Sequence, residues 1–569
     1  MFDHPLPKTA FEALDWSVEH YQPYLDQLVQ YTLTSDNLTP WLEQWSQVNK
    51  FIYEVYQRIY VATTVDTTDE IALKRFETFM SAVFPVVQVA LDQLNRKLLT
   101  VADHLPEGFD VPLRYVRTQV QLFREENLPL FTEQSKLDTE YDQIIGAQTI
   151  EWEGQELTLP QLDPILQETD RAKREQVWRL SMERRLQDRE TLNQLWVNYM
   201  KLRGQIAKNA GFSDYLSYRW QDLGRFDYTP ADSVAFQNAI EQVVVPVAQR
   251  LYQRRQAQLG VESLRPWDTL VDTLGRAPLR PYQSDQELES RMERIFDCVD
   301  PIFGRYFQTM RDEKLLDLPN RKGKAPGGYC TTFSMVERPY IFMNAVGMHD
   351  DVQTLLHEGG HAFHAFESFK LPYNQQQNPP MEFAEVASMA MELLGAPYLT
   401  QDQGGYYSES ESARARIEHL EGLITFWGYM AVVDAFQHWV YTHHEQASIP
   451  ANCDQKWSEL WDRFMIGIDY NGLEAIKETG WQRKVHIYQL PFYYVEYGLA
   501  QLGAVQVWAN SLRDQAKATA DYRYALSLGG TKTLPELFSA AGAKFAFDPE
   551  TLQTAVELIE TTITQLERA

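Results

Sequence analysis

The sequence predicts a mainly α protein with one small β-sheet near its middle. Three observations lead there. Apolar residues recur at steps of three and four along most of the chain, the spacing of an amphipathic helix face. Only a few short runs near the middle switch to β-branched and aromatic residues. No fixed-period repeat or low-complexity tract is present, which weighs against a solenoid. At 569 residues, 44% apolar and 13% aromatic, the chain can bury a large core, so disordered and collagen-like classes are excluded.

Taken in order, Thr39 as N-cap and Pro40 at the first helical position lead into Trp41, Trp45, Val48, Ile52, Val55, Tyr56 and Ile59. A second helix begins near Asp69 and another covers Pro112 to Glu126. Thr149–Trp152, the turn Glu153-Gly154 and Leu157–Leu159 read as a hairpin. Asp163 to Ala210 is helical, with Gly211 placed to end it and Ser213 to cap the next helix. Helices continue to about Gly260, and the proline-bearing stretch 262–286 reads as a loop. After the break Arg321–Gly328, strands are expected at Tyr329–Phe333 and Pro339–Asn344. From His349 onward the pattern is helical again, interrupted near Gln403-Gly-Gly.

A net charge of −27 repels phosphate backbones and anionic lipid, so neither nucleic acid nor a membrane is an expected partner. Cys298, Cys330 and Cys453 lack CxxC spacing and suit neither a disulfide framework nor a thiolate zinc site. No signal peptide is visible, and the most apolar run, Phe79–Leu91, is too short to span a bilayer and contains Pro85. A soluble, cytoplasmic protein is expected.

His357-Glu358-Gly-Gly-His361 is the sharpest chemical signal. Two histidines four apart on a helix point the same way and can share one zinc ion. The glutamate between them lies beside the metal, where it can take a proton from a zinc-bound water. A catalytic zinc needs a third ligand, and the pattern with a third histidine six residues on fails, because position 367 is Glu. The third ligand should therefore come from another helix. Glu382, Glu385 and Glu392 lie on one helical face among Ala, Met and Val, and spacing leaves the choice among them open. His364 continues the histidine stripe by one turn and suits packing or support of a ligand. Downstream, His486 precedes an aromatic run with Tyr493, Tyr494 and Tyr497, which alone reads as a helix start in a core. Gly327, Gly328 and Tyr329 could let a peptide backbone approach, and Tyr340–Ala345 could offer a strand edge to it.

His357-Glu-Gly-Gly-His361-Ala-Phe-His364, with Glu385-Val-Ala-Ser388 and Glu392 beyond it, resembles the oligoendopeptidase F and thimet oligopeptidase family of zinc peptidases. Arg203–Tyr215, Leu264–Asp268 and Lys322–Tyr329 look like further landmarks, so the resemblance covers about residues 165–560. It implies one Zn²⁺ per chain held by His357, His361 and Glu385, with Glu358 as general base. By their own position, Glu382 and Glu392 are candidates to orient a ligand imidazole. The resemblance also implies that His486, Tyr494 and Tyr497 face the metal as hydrogen-bond donors. The interval from His486 to the tyrosines is one residue shorter than in the thimet type, which leaves Tyr493 as a competitor. The implied fold is a clamshell-like helical zinc peptidase with a deep central channel and a small sheet beside the HExxH helix. Residues 1–190 would form part of the channel wall and 191–569 the catalytic region. Short unfolded peptides cut at internal bonds are the implied substrates, and the oligomeric state stays open. The alternatives are a metallocarboxypeptidase of related helical fold and a peptide-binding protein without catalysis.

Overall fold

The computed structural model describes residues 5–321, 323–325 and 327–568. Lys322 and Pro326 of the Arg321–Gly328 break, and the first four residues of the N-terminus, lie outside these. The fold is mainly α, with two small sheets. No helix among the described residues is long and apolar enough to cross a membrane.

The chain divides into two compact units, and neither is a single stretch of sequence. Unit 1 comprises Met1–Leu128, Pro281–Tyr407 and Gly503–Phe545. Unit 2 comprises Pro129–Arg280, Ser408–Leu502 and Ala546–Ala569. Residue 190 falls inside unit 2, within the helix Arg189–Asn209.

In unit 1 the first long helix runs Leu38–Val65, so it starts ahead of Thr39 and Pro40, with Asn37 at the cap. Its apolar stripe, including Trp41, Trp45, Val48, Phe51 and Val55, enters a core shared with Val18–Gln30 and Phe84–Leu99. Asp69 caps the next helix by accepting the backbone N–H groups of Ile71 and Ala72. Unit 2 holds the hairpin, β1 (Thr149–Trp152) with β2 (Gln155–Thr158), where Trp152 packs on Leu162 and Val177. The stretch 163–210 is three helices, Asp163–Leu166, Arg171–Gln187 and Arg189–Asn209. Asp214, rather than Ser213, caps the helix Tyr215–Asp222, since its carboxylate accepts Ser217 N–H at 2.7 Å.

The second sheet belongs to unit 1. It contains β3 (Leu316–Pro319), β4 (Tyr329–Phe333) and β5 (Arg338–Ala345) in the order β3-β5-β4. Strand β3 escaped the sequence reading, because four residues with a proline and an aspartate carry little β signal. β5 is paired on both sides, parallel to β3 and antiparallel to β4. Tyr340–Ala345 therefore offers no free edge, which corrects the expectation of strand addition there; the edges are β3 and β4.

Candidate active site

The HExxH helix, His349–Ser368, follows β5 almost at once and packs against β4 and β5. Its start is set by Asp351, whose carboxylate accepts Met348 N–H at 2.7 Å, Val346 N–H at 3.0 Å and the Tyr282 hydroxyl at 2.6 Å. An acceptor in the first turn satisfies donors that the helix leaves unpaired and suits the positive end of its dipole. The second element is the helix Met381–Gly395, which is buried almost throughout.

The two helices touch at Gly360. A Cβ there would lie 2.4 Å from the Ala387 carbonyl oxygen and 2.6 Å from Ser388 Cα, so only glycine permits this approach. Gly359 faces Phe296 in the same way, at 2.4 Å. The adjacent pair of mid-helix glycines, unfavourable for helix propensity, is the sequence signal of this contact. Tyr522 donates its hydroxyl to the same Ala387 carbonyl at 2.6 Å.

Across this crossing His357, His361 and Glu385 converge. Among the described residues they form the group whose nitrogen and carboxylate ligand atoms lie within 4.8 Å of one another. Glu385 Oε2 stands 3.4 Å from His357 Nε2 and 3.6 Å from His361 Nε2. His357 Nδ1 meets Glu392 Oε1 at 2.7 Å; with the proton on Nδ1, the imidazole donates there and leaves the Nε2 lone pair facing Glu385. Ser388 donates to Glu385 Oε2 at 3.1 Å. Glu382 is buried one turn earlier and is not in the converging group.

Burial opposes charge on His357, but the carboxylates of Glu385 and Glu392, which accept its N–H groups when it is protonated, outweigh it and hold the imidazole well above its usual range. For His361 burial dominates, and its pKa is pushed down to about 4. Glu358, between them, is pushed up to about 7, first by burial and then by the other two carboxylates. Its Oε2 is buried and has no hydrogen-bond partner. A cation suits this donor set: imidazole nitrogens with available lone pairs, carboxylates crowded together, and an unsatisfied carboxylate oxygen beside them. His364 is neutral, with its pKa pushed down to about 3 by burial, and its ring meets the edge of Phe383.

Gly327 has φ +93°, a conformation that favours glycine. Gly328 rests against β5, and the Tyr329 ring stacks on Phe342 while its hydroxyl bonds to Thr64 at 2.6 Å. Tyr329 is thus a packing residue of unit 1.

His486, Tyr493, Tyr494 and Tyr497 lie in unit 2, and the structure brings them together. The His486 ring is 5.6 Å from Tyr493, 4.9 Å from Tyr494 and 5.9 Å from Tyr497. Tyr494 is buried, while Tyr493 and Tyr497, one turn apart, are half-buried. A short helix, Val485–Tyr488, ends before a turn, and the helix Tyr494–Ser511 begins after it. Phe492 makes that turn with φ +69°, uncommon for a bulky residue. Its N–H is held by Gln437 Oε1 at 3.0 Å and its carbonyl by Arg225 at 2.6 Å. Sequence reading missed Phe492, Gln437 and Arg225, because no local pattern signals a strained turn held from a distant helix and a distant loop.

The profile of peptidase family M3 matches residues 165–557. An oligoendopeptidase F homologue from Borreliella burgdorferi is 20% identical, over 92% of this chain and 89% of its own. A solved structure of Pz peptidase A with an inhibitor is 26% identical, with TM-score 0.89 and 99% of both chains covered. Another, described as oligoendopeptidase F, is 26% identical with TM-score 0.90, covering 99% of this chain and 98% of its own.

Proposed function

The chain belongs to peptidase family M3 and is a peptidase acting on oligopeptides, and from that premise we propose that it is a zinc-dependent endopeptidase cutting internal bonds of short peptides. The observation that carries this reading is the convergence of the half-buried His357 and His361 on the buried Glu385, with the unsatisfied Oε2 of Glu358 beside them.

His357 Nε2, His361 Nε2 and a carboxylate oxygen of Glu385 would hold the ion. When bound, zinc supplies Lewis acidity, polarising the scissile carbonyl and acidifying a water. Glu392 orients His357 through Nδ1, and Ser388 steadies Glu385. Glu358 accepts the proton of the attacking water and passes it to the leaving amine. Burial holds Glu358 above the usual carboxylate range, the direction that favours its taking a proton near neutrality. By the family resemblance, His486, Tyr494 and Tyr497 donate to the carbonyl oxygen as it gains charge.

A terminally blocked, internally quenched peptide tests this. Internal cleavage is expected, abolished by a chelator and restored by Zn²⁺. Glu358→Gln should keep the metal and lose about 10²- to 10⁴-fold in turnover. Release of only the C-terminal residue from an unblocked peptide, with the blocked one intact, would instead make the enzyme a carboxypeptidase. Binding without cleavage of either would make it a peptide binder.

A further inference from the structure

The main chain just after His486 needs donors that its own sequence does not supply. Four residues beyond Ile487 stands Pro491, which has no N–H to return to the Ile487 carbonyl. Four residues beyond Tyr488 stands Phe492, whose N–H goes to Gln437 Oε1 at 3.0 Å. The helix Val485–Tyr488 is too short to satisfy its own last carbonyls, and Ile487 and Tyr488 are buried. Carbonyls left bare in such a place are unfavourable, so a donor must come from elsewhere in the fold.

Arg203 is that donor. It lies on the helix Arg189–Asn209 and is 0% exposed. Its Nη1 donates to the Ile487 carbonyl at 3.4 Å and to the Tyr441 hydroxyl at 2.8 Å, and its Nη2 donates to the Tyr488 carbonyl. The guanidinium lies 4.5 Å from the centre of the Tyr199 ring. Asp138, whose charge acts on Arg203, accepts the Tyr199 hydroxyl at 2.6 Å. A buried charge is a demanding core residue, and an apolar side chain of like size would fill the space while leaving both carbonyls bare. What the guanidinium adds is a planar fork that reaches two successive carbonyls at once, which the point donor of a lysine does not reproduce. The preceding carbonyl is held as well, since Gln437 Nε2 donates to His486 O at 3.3 Å. Three successive carbonyls, of His486, Ile487 and Tyr488, are therefore pinned by side chains from two other helices. An imidazole is aimed by its own Cα–Cβ bond, so fixing this main chain fixes where the His486 ring begins.

We propose that Arg203 is a positioning residue for the reaction: by taking the Ile487 and Tyr488 carbonyls it holds the His486 imidazole where it can donate to the substrate carbonyl oxygen. The part of His486 in catalysis rests on the peptidase reading above; the hold on its main chain rests on the hydrogen bonds of unit 2. Arg203 is fully buried and acts through His486 alone.

Three variants of the full-length protein test this. Arg203→Lys keeps the charge and removes the fork. Arg203→Gln removes both and answers if a stranded ammonium unfolds the first variant. Tyr441→Phe is the control, because it takes one bond from the same guanidinium and leaves both carbonyls engaged. On the blocked, quenched peptide, kcat should fall about 10- to 100-fold in the Arg203 variants, with KM and zinc content unchanged, the effect of a misplaced group. Tyr441→Phe should lose thermal stability and keep kcat. In a His486→Gln background, Arg203→Lys should lower kcat no further, as for two residues that act as one. The imidazole proton NMR signal of His486, identified by its loss in His486→Gln, should move or broaden in Arg203→Lys and stay in place in Tyr441→Phe. Additive losses in kcat, normal kcat in a folded Arg203 variant, or an unmoved His486 signal would overturn the inference. A Tyr441→Phe loss in kcat equal to that of Arg203→Lys would overturn it too, by reducing the effect to stability. Should His486→Gln turn over normally, the reading of His486 as a donor fails, while the NMR signal still decides whether Arg203 positions the ring.

Discussion

The two clusters of this molecule are built by different means. In unit 1, His357, His361 and Glu385 project from two regular helices, and their spacing follows from helix geometry once Gly360 lets the helices meet. In unit 2, His486 and its tyrosines sit around a helix break at Phe492, held in a left-handed conformation by Gln437 and Arg225. The first arrangement tolerates little change in residue type but needs few distant supports. The second depends on residues some fifty and more than two hundred positions away, so its geometry is a property of the packed unit.

The largest test of the contrast is at the ligands. Glu385→Ala should lose stoichiometric zinc and with it turnover, whereas Glu382→Ala, outside the converging group, should keep the metal. Metal analysis of the two variants decides between the carboxylates, and the reverse pattern would place Glu382 in the site. Next comes unit 2. Tyr494→Phe should lower kcat by about 10²- to 10³-fold with little change in KM, since its bond would strengthen in the transition state. Tyr497→Phe should act in the same direction. A silent Tyr494→Phe beside a crippled Tyr493→Phe would move the role by one residue. If all three keep normal kcat and lose only thermal stability, the aromatic cluster of unit 2 is core and the comparison collapses.

Smaller effects probe the supports. Gly360→Ala forces a methyl against the Ala387–Ser388 backbone, an overpacking worth about 1–3 kcal/mol. Part of that should appear as weaker zinc affinity in a chelator competition, because Glu385 and Ser388 ride on the displaced helix. The parallel change in unit 2, Gln437→Ala, removes the acceptor of a buried N–H and should lower stability by about 1–3 kcal/mol and kcat with it. Metal affinity should not move, and a drop there would tie the two clusters together. The mildest perturbation is pH. Glu358 must be ionised to accept a proton, and burial raises its pKa, so kcat/KM should fall as pH drops through an acid limb at or below about 7. The residual rate of Glu358→Gln should lack that limb.

Local spacing by itself determined the helical class, the hairpin at 149–158, β4 and β5 and the HExxH histidine pair on one helix face, because periods of 3.6 and 2 are written in neighbouring residues. It brought the candidates for a third ligand down to three glutamates on one face. Resemblance chose Glu385, and the packed helices converge on that residue. Helix starts slipped by a residue or two at Leu38 and Asp214, where several capping residues compete within one turn. Only the tertiary structure decided that Gly360 is the point of helix contact and that β5 is central, with no edge to offer. It alone set Phe492 in a left-handed turn. Each of these depends on which distant surfaces meet, and a hydrogen bond or a close contact between residues hundreds of positions apart leaves no period in the chain to read.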